Sequence, residues 1–151
     1  MTIAALTAEA ARLILPRFNE DTALTLGQTL VDFARADNLP VVINIRTADR
    51  TLFHAALPGA TPLNDHWARR KSNVALMFQK SSLLVGTQLQ EKASTLADNG
   101  LSNADYADHG GAVPIWVQGA GMVAVATVSG LPSRDDHALV VRGIMTLLKS
   151  L

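Results

Sequence analysis

The chain has 151 residues, the length of one ordinary domain, and 48% of them are hydrophobic, which is enough for a core of its own. Cysteine is absent, which excludes disulfide bonds, thiolate catalysis and cysteine-based metal sites. Thirteen basic and thirteen acidic residues give zero formal charge, which argues against nucleic acid or an anionic membrane as a partner and permits self-association. We therefore expect one domain over residues 1–151, with no membrane span.

The first residues predict a short amphipathic helix rather than an export signal. No basic start precedes their apolar stretch, and Glu9 and Arg12 interrupt it. This interpretation places the protein in the cytoplasm. A second helix is predicted from Asn19, an N-cap followed by two acids, to about Asp37, where Asn38-Leu39-Pro40 ends it.

Two hairpins are predicted, separated by helices. Alternating apolar and polar residues indicate a strand over residues 41–47, and a turn leads to a second strand over residues 51–56. Thr61 and Pro62 are typical of a helix start, and helices are predicted to about residue 79 and over residues 82–93. The polar segment 97–111 is long enough to indicate a functional or mobile loop.

Residues 113–118 and 121–129 predict the second hairpin, whose second strand is apolar or small on both faces and is therefore expected at the centre of the sheet. Ser133, with Asp136 three residues later, is typical of a capping box and opens a last helix to about residue 148. Hairpins that are segregated from helices predict an α+β fold.

A charged residue interrupts the apolar stripe of the helix that starts at Pro62. At about 100° per residue, that stripe consists of Leu63, Trp67, Val74 and Phe78. Lys71 falls in the middle of the stripe, and Arg70 lies at its edge. Two interpretations remain open: the Lys71 stem packs on Trp67 while its ammonium reaches solvent, or Lys71 is an anion-binding cation at the mouth of a pocket.

Two histidines also stand at informative positions. His137 lies on the apolar face of the last helix, one turn before Val141, and is either a core or interface residue or a ligand. His109 precedes Gly110 and Gly111 in the polar loop, where its imidazole can reach a ligand or the glycines can serve chain geometry alone. The histidines show no metal-ligand spacing, so no metal site is predicted.

Three segments together resemble one family. They are NDHWARRKSNVALMF (64–78), HGGAVPIWV (109–117) and VATVSGLPSRDDHALV (125–140), in this order along the chain. They are similar to motifs of the haem-degrading, HbpS/GlcG-like family, and specifically of its uncharacterised cytosolic branch. The similarity extends from Glu20 to the end of the chain.

The resemblance implies a profilin-like domain, with a five-stranded antiparallel sheet flanked by helices and assembled into symmetric homo-oligomers. Only four strands are evident, so the fifth is expected near residues 100–111. Some members bind or degrade haem, and others are described only as oligomeric accessory proteins. The positions that match the motifs are Trp67, Arg70, Lys71, His109, Gly110, Gly111, Pro114, Ser129, Gly130, Asp136 and His137.

Three functional hypotheses follow. In the first, the chain is an oligomeric small-ligand-binding protein that binds or degrades haem, with Lys71 and Arg70 at the propionates and His109 or His137 at the iron. Trp67, Gly110 and Gly111 complete this expected ligand site. In the second, it is a non-catalytic oligomeric accessory protein that acts through protein–protein contacts. In the third, it is an enzyme that processes a small acid and uses the same basic cluster to bind the carboxylate of that small anionic ligand. No catalytic residues are evident, so the sequence leaves open whether the protein is an enzyme.

Overall fold

Five helices and five strands follow one another in the predicted order, with one addition, a two-residue strand near the N-terminus. The computed structural model describes all residues from Met1 to Leu151. The elements are α1 (Ile3–Ala11), β1 (Ile14–Leu15), α2 (Glu20–Ala36), β2 (Val42–Arg46), β3 (Thr51–Ala56), α3 (Pro62–Phe78), α4 (Ser82–Glu91), a 3₁₀ turn (Ala97–Asn99), β4 (Ala112–Val117), β5 (Gly121–Ser129) and α5 (Ser133–Lys149). None of the helices combines the length and apolar character that a bilayer span requires.

Helix α2 begins where the sequence predicts. The Asn19 side chain accepts a hydrogen bond from the Thr22 N–H at 3.0 Å, and the Thr22 hydroxyl accepts one from the Asn19 N–H at 2.6 Å. This reciprocal pair satisfies two of the donors that a helix N-terminus leaves free.

The predicted capping box of α5 is wrong. Pro132, rather than Ser133, occupies the N-cap position. The Ser133 hydroxyl accepts from the Gly110 N–H of a distant loop, and the Asp136 carboxylate accepts from the Leu131 N–H at 3.0 Å. Both side chains are therefore committed to neighbouring segments, which leaves neither of them free for the reciprocal bonds of a capping box.

The sheet has the strand order β1-β4-β5-β2-β3, so β5 is central as predicted. The pairs among β4, β5, β2 and β3 are antiparallel. The fifth strand is β1, which runs parallel to β4 with Ile14 opposite Trp116. The expectation of a strand near residues 100–111 is wrong, because backbone carbonyls of that segment accept hydrogen bonds from side chains of α3 instead.

One face of the sheet is apolar and packs against α2 and α5. It presents Ile43, Ile45, Val113, Ile115 and Val128, which form one cluster with Leu26 and Leu30 of α2 and with Val140, Ile144 and Leu147 of α5. The two helices approach closely, since a β-carbon at Gly143 would lie 2.5 Å from a methyl carbon of Leu30. This face holds most of the core.

The opposite face packs against α3 and is more polar. The Ser72 hydroxyl of α3 donates to the Ala68 carbonyl at 2.7 Å and lies 2.8 Å from the Thr127 hydroxyl of β5. Asn44, opposite Thr127 on β2, lies 3.0 Å from the ring of His54 on β3. Buried polar groups are tolerated here because they find partners.

Candidate functional site

A polar cleft of about 220 Å³ opens beside the N-terminal half of α3. Three segments form it: α3, the loop before β4, and the turn from β5 into α5. Its lining residues are Asn64, Trp67, Lys71, His109, Gly110, Ser129, Gly130, Leu131, Ser133 and Asp136. The fold thus brings together, at one cleft, residues from all three sequence segments singled out above.

A buried ion pair lies at the base of the cleft. Lys71 and Asp136 are each only 2% exposed, and the Lys71 Nζ lies 3.0 Å from Asp136 Oδ2. The Lys71 ammonium also donates to the Val128 carbonyl at 2.7 Å and to the Gly110 carbonyl at 3.0 Å. The interpretation in which Lys71 reaches solvent is therefore wrong, because its three N–H groups all have partners inside the protein.

Burial dominates the electrostatics of this pair. It lowers the pKa of Lys71, although the attraction of Asp136 opposes the shift. It also raises the pKa of the Asp136 carboxyl, against the attraction of Lys71 and the N–H groups of Leu131 and Gly130. Both shifts have the sign expected when charged groups leave water. Lys71 and Asp136 thus form an ion pair whose polar partners lie within the protein.

The loop that carries His109 is fixed on both sides of that residue. Before it, the Ala107 N–H donates to the Arg70 carbonyl at 3.1 Å. After it, Gly110 donates its N–H to Ser133 and accepts from Lys71. Gly111 has a φ of +136°, and a β-carbon there would collide with the Lys71 ammonium, so only glycine fits this path.

The His109 ring itself is exposed at the rim of the cleft. The His109 and Trp67 rings form a T-shaped pair, with their centroids 5.1 Å apart and their planes at 72°. A second cleft of about 480 Å³ lies next to the first and shares His109 and Ser133 with it. The imidazole therefore stands at the boundary between two clefts.

Arg70 lies on the other side of Trp67. Its guanidinium carbon is 4.4 Å from the centre of the Trp67 ring, and its Nε donates to the Asn103 carbonyl at 2.7 Å. The Trp67 side chain thus contacts both Arg70 and His109. This arrangement places a half-buried cation next to the cleft, although Arg70 does not line it.

Side chains of α3 hold the polar segment that precedes His109. Arg69 donates to the Ala104 carbonyl and the Asp105 carboxylate, each at 3.1 Å, and Asn73 donates to the Asp105 carbonyl at 2.8 Å. These bonds come from the middle of α3, and they hold the segment to the helix without its joining the sheet.

The structure separates His137 from this cleft. His137 is 2% exposed and lies beneath α1, where its Nε2 is 2.6 Å from the Glu9 carboxylate and its Nδ1 has no partner. It lines a cavity of about 70 Å³ together with Leu6, Leu84 and Trp116. The surroundings are those of a core residue.

The expected ligand site is therefore brought together in part. Trp67, Lys71, His109 and Gly110 line the cleft, and His137 lies elsewhere. Arg70 and Gly111 do not line it, but Arg70 contacts Trp67 and Gly111 packs against Lys71. The expected site left out six further lining residues, which are Asn64, Ser129, Gly130, Leu131, Ser133 and Asp136. Ser129, Gly130 and Asp136 match the motif positions given above, which was the available signal for them.

A family model described as "Haem degrading protein HbpS-like" matches residues 18–145. The chain belongs to the HbpS-like haem-degrading family. It is 46% identical to a UPF0303 protein of Paraburkholderia xenovorans over 140 residues, which are 92% of this chain and 85% of that protein. It is 47% identical to a UPF0303 protein of Streptomyces avermitilis over 144 residues, covering 95% and 88% of the two chains.

Solved structures with the same fold include the Ybr137w protein, with a TM-score of 0.91 and 27% identity over 99% of this chain and 89% of that one. HbpS is similar with a TM-score of 0.70 and 22% identity, covering 87% and 90%. The PduOC:heme complex has a TM-score of 0.72 and 18% identity, covering 85% and 93%. At such identities the last two show a shared fold alone. They support the predicted α+β fold with its five-stranded sheet.

Proposed function

We propose that this protein binds haem at the cleft between Trp67 and His109, with His109 as the ligand of the iron. The observation that carries the proposal is the exposed His109 imidazole, which stands at the boundary of two clefts on a backbone fixed from both sides. Membership of the haem-degrading family and the fold shared with a haem complex support haem as the ligand.

His109 has the chemistry that ligation needs. An imidazole binds iron through a ring nitrogen that is free of other partners. His54 and His137 each bond a carboxylate through Nε2, whereas the His109 ring makes only an edge contact with Trp67. Of these three histidines, His109 is thus the one whose nitrogens are available at a cleft.

The two cations near the cleft differ in the number of N–H donors that are free to bind a propionate. Lys71 has committed its three N–H groups within the protein. Arg70 uses Nε for the Asn103 carbonyl, which leaves its two Nη groups for an anion. We therefore assign the propionate contact to Arg70. The larger cleft, of about 480 Å³, has the size of a small-molecule site.

When bound, haem would supply the redox chemistry of its iron, and the chain would supply the ligand, access and position. Haem degradation by this chain stays a prediction, as does its cytoplasmic location. We also propose a homo-oligomer, which the balanced charge permits and which would cover exposed apolar side chains. Those with the largest exposure are Ile14, Leu24, Leu63 and Met77.

One observation favours the alternative, a non-catalytic oligomeric accessory protein. Only two of the ten residues that line the first cleft are hydrophobic, and the same holds for the second. Ligand pockets are mostly apolar, and a flat macrocycle would meet few apolar walls here. In this alternative, exposed apolar side chains serve subunit or partner contacts and the clefts bind no haem.

An absorbance titration with haemin tests the proposal. We expect a saturable Soret shift at a stoichiometric ratio, abolished by His109→Ala and retained by His54→Ala, a matched control on an exposed histidine of β3. Loss of the shift in His137→Ala but not in His109→Ala would reject His109 as the ligand. A weak, non-saturating change in every variant would reject haem binding and favour the accessory protein.

A further inference from the structure

The two peptide groups that follow His109 are held by two side chains. The Ser133 hydroxyl accepts from the Gly110 N–H, and the Lys71 ammonium donates to the Gly110 carbonyl. Two glycines come directly after His109, and glycine leaves the backbone more freedom than any other residue. The Gly110 carbonyl nevertheless has a fixed direction, because it accepts from the Lys71 ammonium at 3.0 Å. Gly111 packs against the same ammonium, and its carbonyl accepts from the Val128 N–H at 3.0 Å.

The Lys71 ammonium is itself fixed from two other elements. Asp136 of α5 and the Val128 carbonyl of β5 take its remaining N–H groups, at 3.0 and 2.7 Å. The ammonium thus connects α3, β5, α5 and the His109 loop at one buried point. A buried ion pair adds little net stability, since desolvation offsets much of the attraction. The ammonium also holds the loop that carries His109, through the Gly110 carbonyl.

We propose that Lys71 is a positioning residue, whose ammonium fixes the Gly110 carbonyl and thereby the direction in which His109 presents its imidazole to the cleft. The proposal rests on the proposed function only in that His109 is taken as the ligand of the iron. It reassigns Lys71 from contact with a ligand anion to control of the ligating side chain, which it does not touch.

A first test uses the protein without haem. The edge contact between the Trp67 and His109 rings is expected to give NOEs between them in the wild type. Lys71→Met keeps the length of the side chain and removes its donors, so we expect these NOEs to disappear and the His109 signals to broaden. Ser72→Ala is the matched control, because Ser72 is equally buried on α3 but bonds β5 rather than the loop. It should leave the NOEs intact.

A chemical rescue separates positioning from general loss of structure. The chain contains no cysteine, so Lys71→Cys introduces a single thiol. Alkylation of that thiol with 2-bromoethylamine in the unfolded state, followed by refolding, restores an ammonium on a side chain of nearly the same length. We expect the rescued protein to regain the Trp67–His109 NOEs that Lys71→Cys alone lacks.

A second test measures haemin binding by the same variants. Loss of a group that orients a metal ligand typically lowers metal affinity about 10–100-fold, and we expect that loss and a displaced Soret maximum for Lys71→Met. Ser72→Ala should match the wild type, and the rescued protein should recover both properties. Ser133→Ala, which removes the other anchor of Gly110 without touching a buried charge, should give a smaller loss.

The two tests fail in different ways. Intact NOEs and wild-type haemin affinity in Lys71→Met would overturn the positioning role while leaving the proposed function standing. If the wild type binds no haemin, the proposed function fails, and the NOEs of the haem-free variants still decide whether Lys71 orients His109. If Lys71→Met does not fold, the alkylated Lys71→Cys protein decides the question. Absence of the Trp67–His109 NOEs in that protein, when it is folded, would overturn the positioning role of Lys71.

Discussion

The two faces of the sheet are built on different physical grounds. The face toward α2 and α5 is a continuous apolar cluster that includes Ile43, Ile45 and Leu30. The face toward α3 buries Lys71, Ser72 and Thr127, each with partners of its own. The first face is stabilised by removal of apolar area from water, and the second depends on every polar group finding its partner.

This difference separates the main apolar core from the candidate cleft within one small domain. The apolar face is expected to tolerate substitutions that keep the volume and apolar character of a side chain, because the hydrophobic effect does not depend on direction. The polar face tolerates few changes, because each of its bonds has a fixed direction and length. The candidate cleft lies on the polar side, where α3 meets the His109 loop and α5.

The largest effect is expected from Lys71→Met on the polar face. Removal of one partner leaves the buried Asp136 carboxylate without its cation, which typically costs about 3–5 kcal/mol of the free energy of unfolding. Urea denaturation measures this loss. The double variant Lys71→Met with Asp136→Leu should recover part of it, because it leaves no buried charge. A loss in Lys71→Met smaller than that in Ser72→Ala would contradict our description of the pair.

On the apolar face, Leu30→Ala should cost about 2–5 kcal/mol, since it removes methyl groups from a side chain with no exposed surface and leaves a cavity. Haemin affinity should stay at the wild-type value under conditions where the variant is folded, which is checked by far-UV circular dichroism. A matching loss of haemin affinity would show that the two faces are coupled, contrary to the comparison above.

A smaller effect is expected from Ser72→Ala. The variant leaves the buried Thr127 hydroxyl without its partner, which typically costs about 1–3 kcal/mol. The double variant Ser72→Ala with Thr127→Val removes both partners and should be closer to the wild type in thermal denaturation. If the double variant loses as much as the sum of the single ones, the two hydroxyls do not act as a pair.

The smallest effect is expected from Glu20→Gln, which removes an ion pair that belongs to neither face. Arg50 and Glu20 are 3.0 Å apart, but their side chains are 59% and 72% exposed. Such pairs contribute at most about 1 kcal/mol, and salt reduces the contribution further. Urea denaturation at low and high salt should show little change, in contrast to the buried pair. A loss as large as that of Lys71→Met would contradict this contrast.

The apolar face could be predicted from the sequence because its signals are local. The alternation around Ile43 and Ile45 predicts β2, and Asn19 with the acids after it predicts the start of α2. The strand β1 could not be predicted, because two residues are too few to show an alternation of apolar and polar side chains. The strand β1 depends on pairing with residues that are distant in the sequence, as in the hydrogen bond from the Gln118 N–H to the Leu15 carbonyl at 2.9 Å.

The candidate site could be predicted only in part, for the same reason. The sequence shows that Lys71 interrupts an apolar stripe, but its partner Asp136 lies 65 residues further on. The pattern therefore leaves solvent exposure and ligand contact as alternatives, and the structure shows an internal ion pair. The position of Ser133 in the sequence is typical of a capping residue. Its hydroxyl instead accepts a hydrogen bond from the Gly110 N–H, because the His109 loop reaches the start of α5.

The strand β1 has a consequence for association between copies of the chain. A sheet with two unprotected edges can add neighbours on both sides and grow without limit. Here β1 pairs with Trp116 and Val117 of β4, and the Ser82 hydroxyl of α4 accepts from the Ala112 N–H at the other end of that strand. The outermost strands of the sheet are β1, with two residues, and β3, with six. The short edge strand β1 leaves few free backbone groups for a neighbouring chain, so edge-to-edge pairing between molecules is expected at β3 rather than at β1.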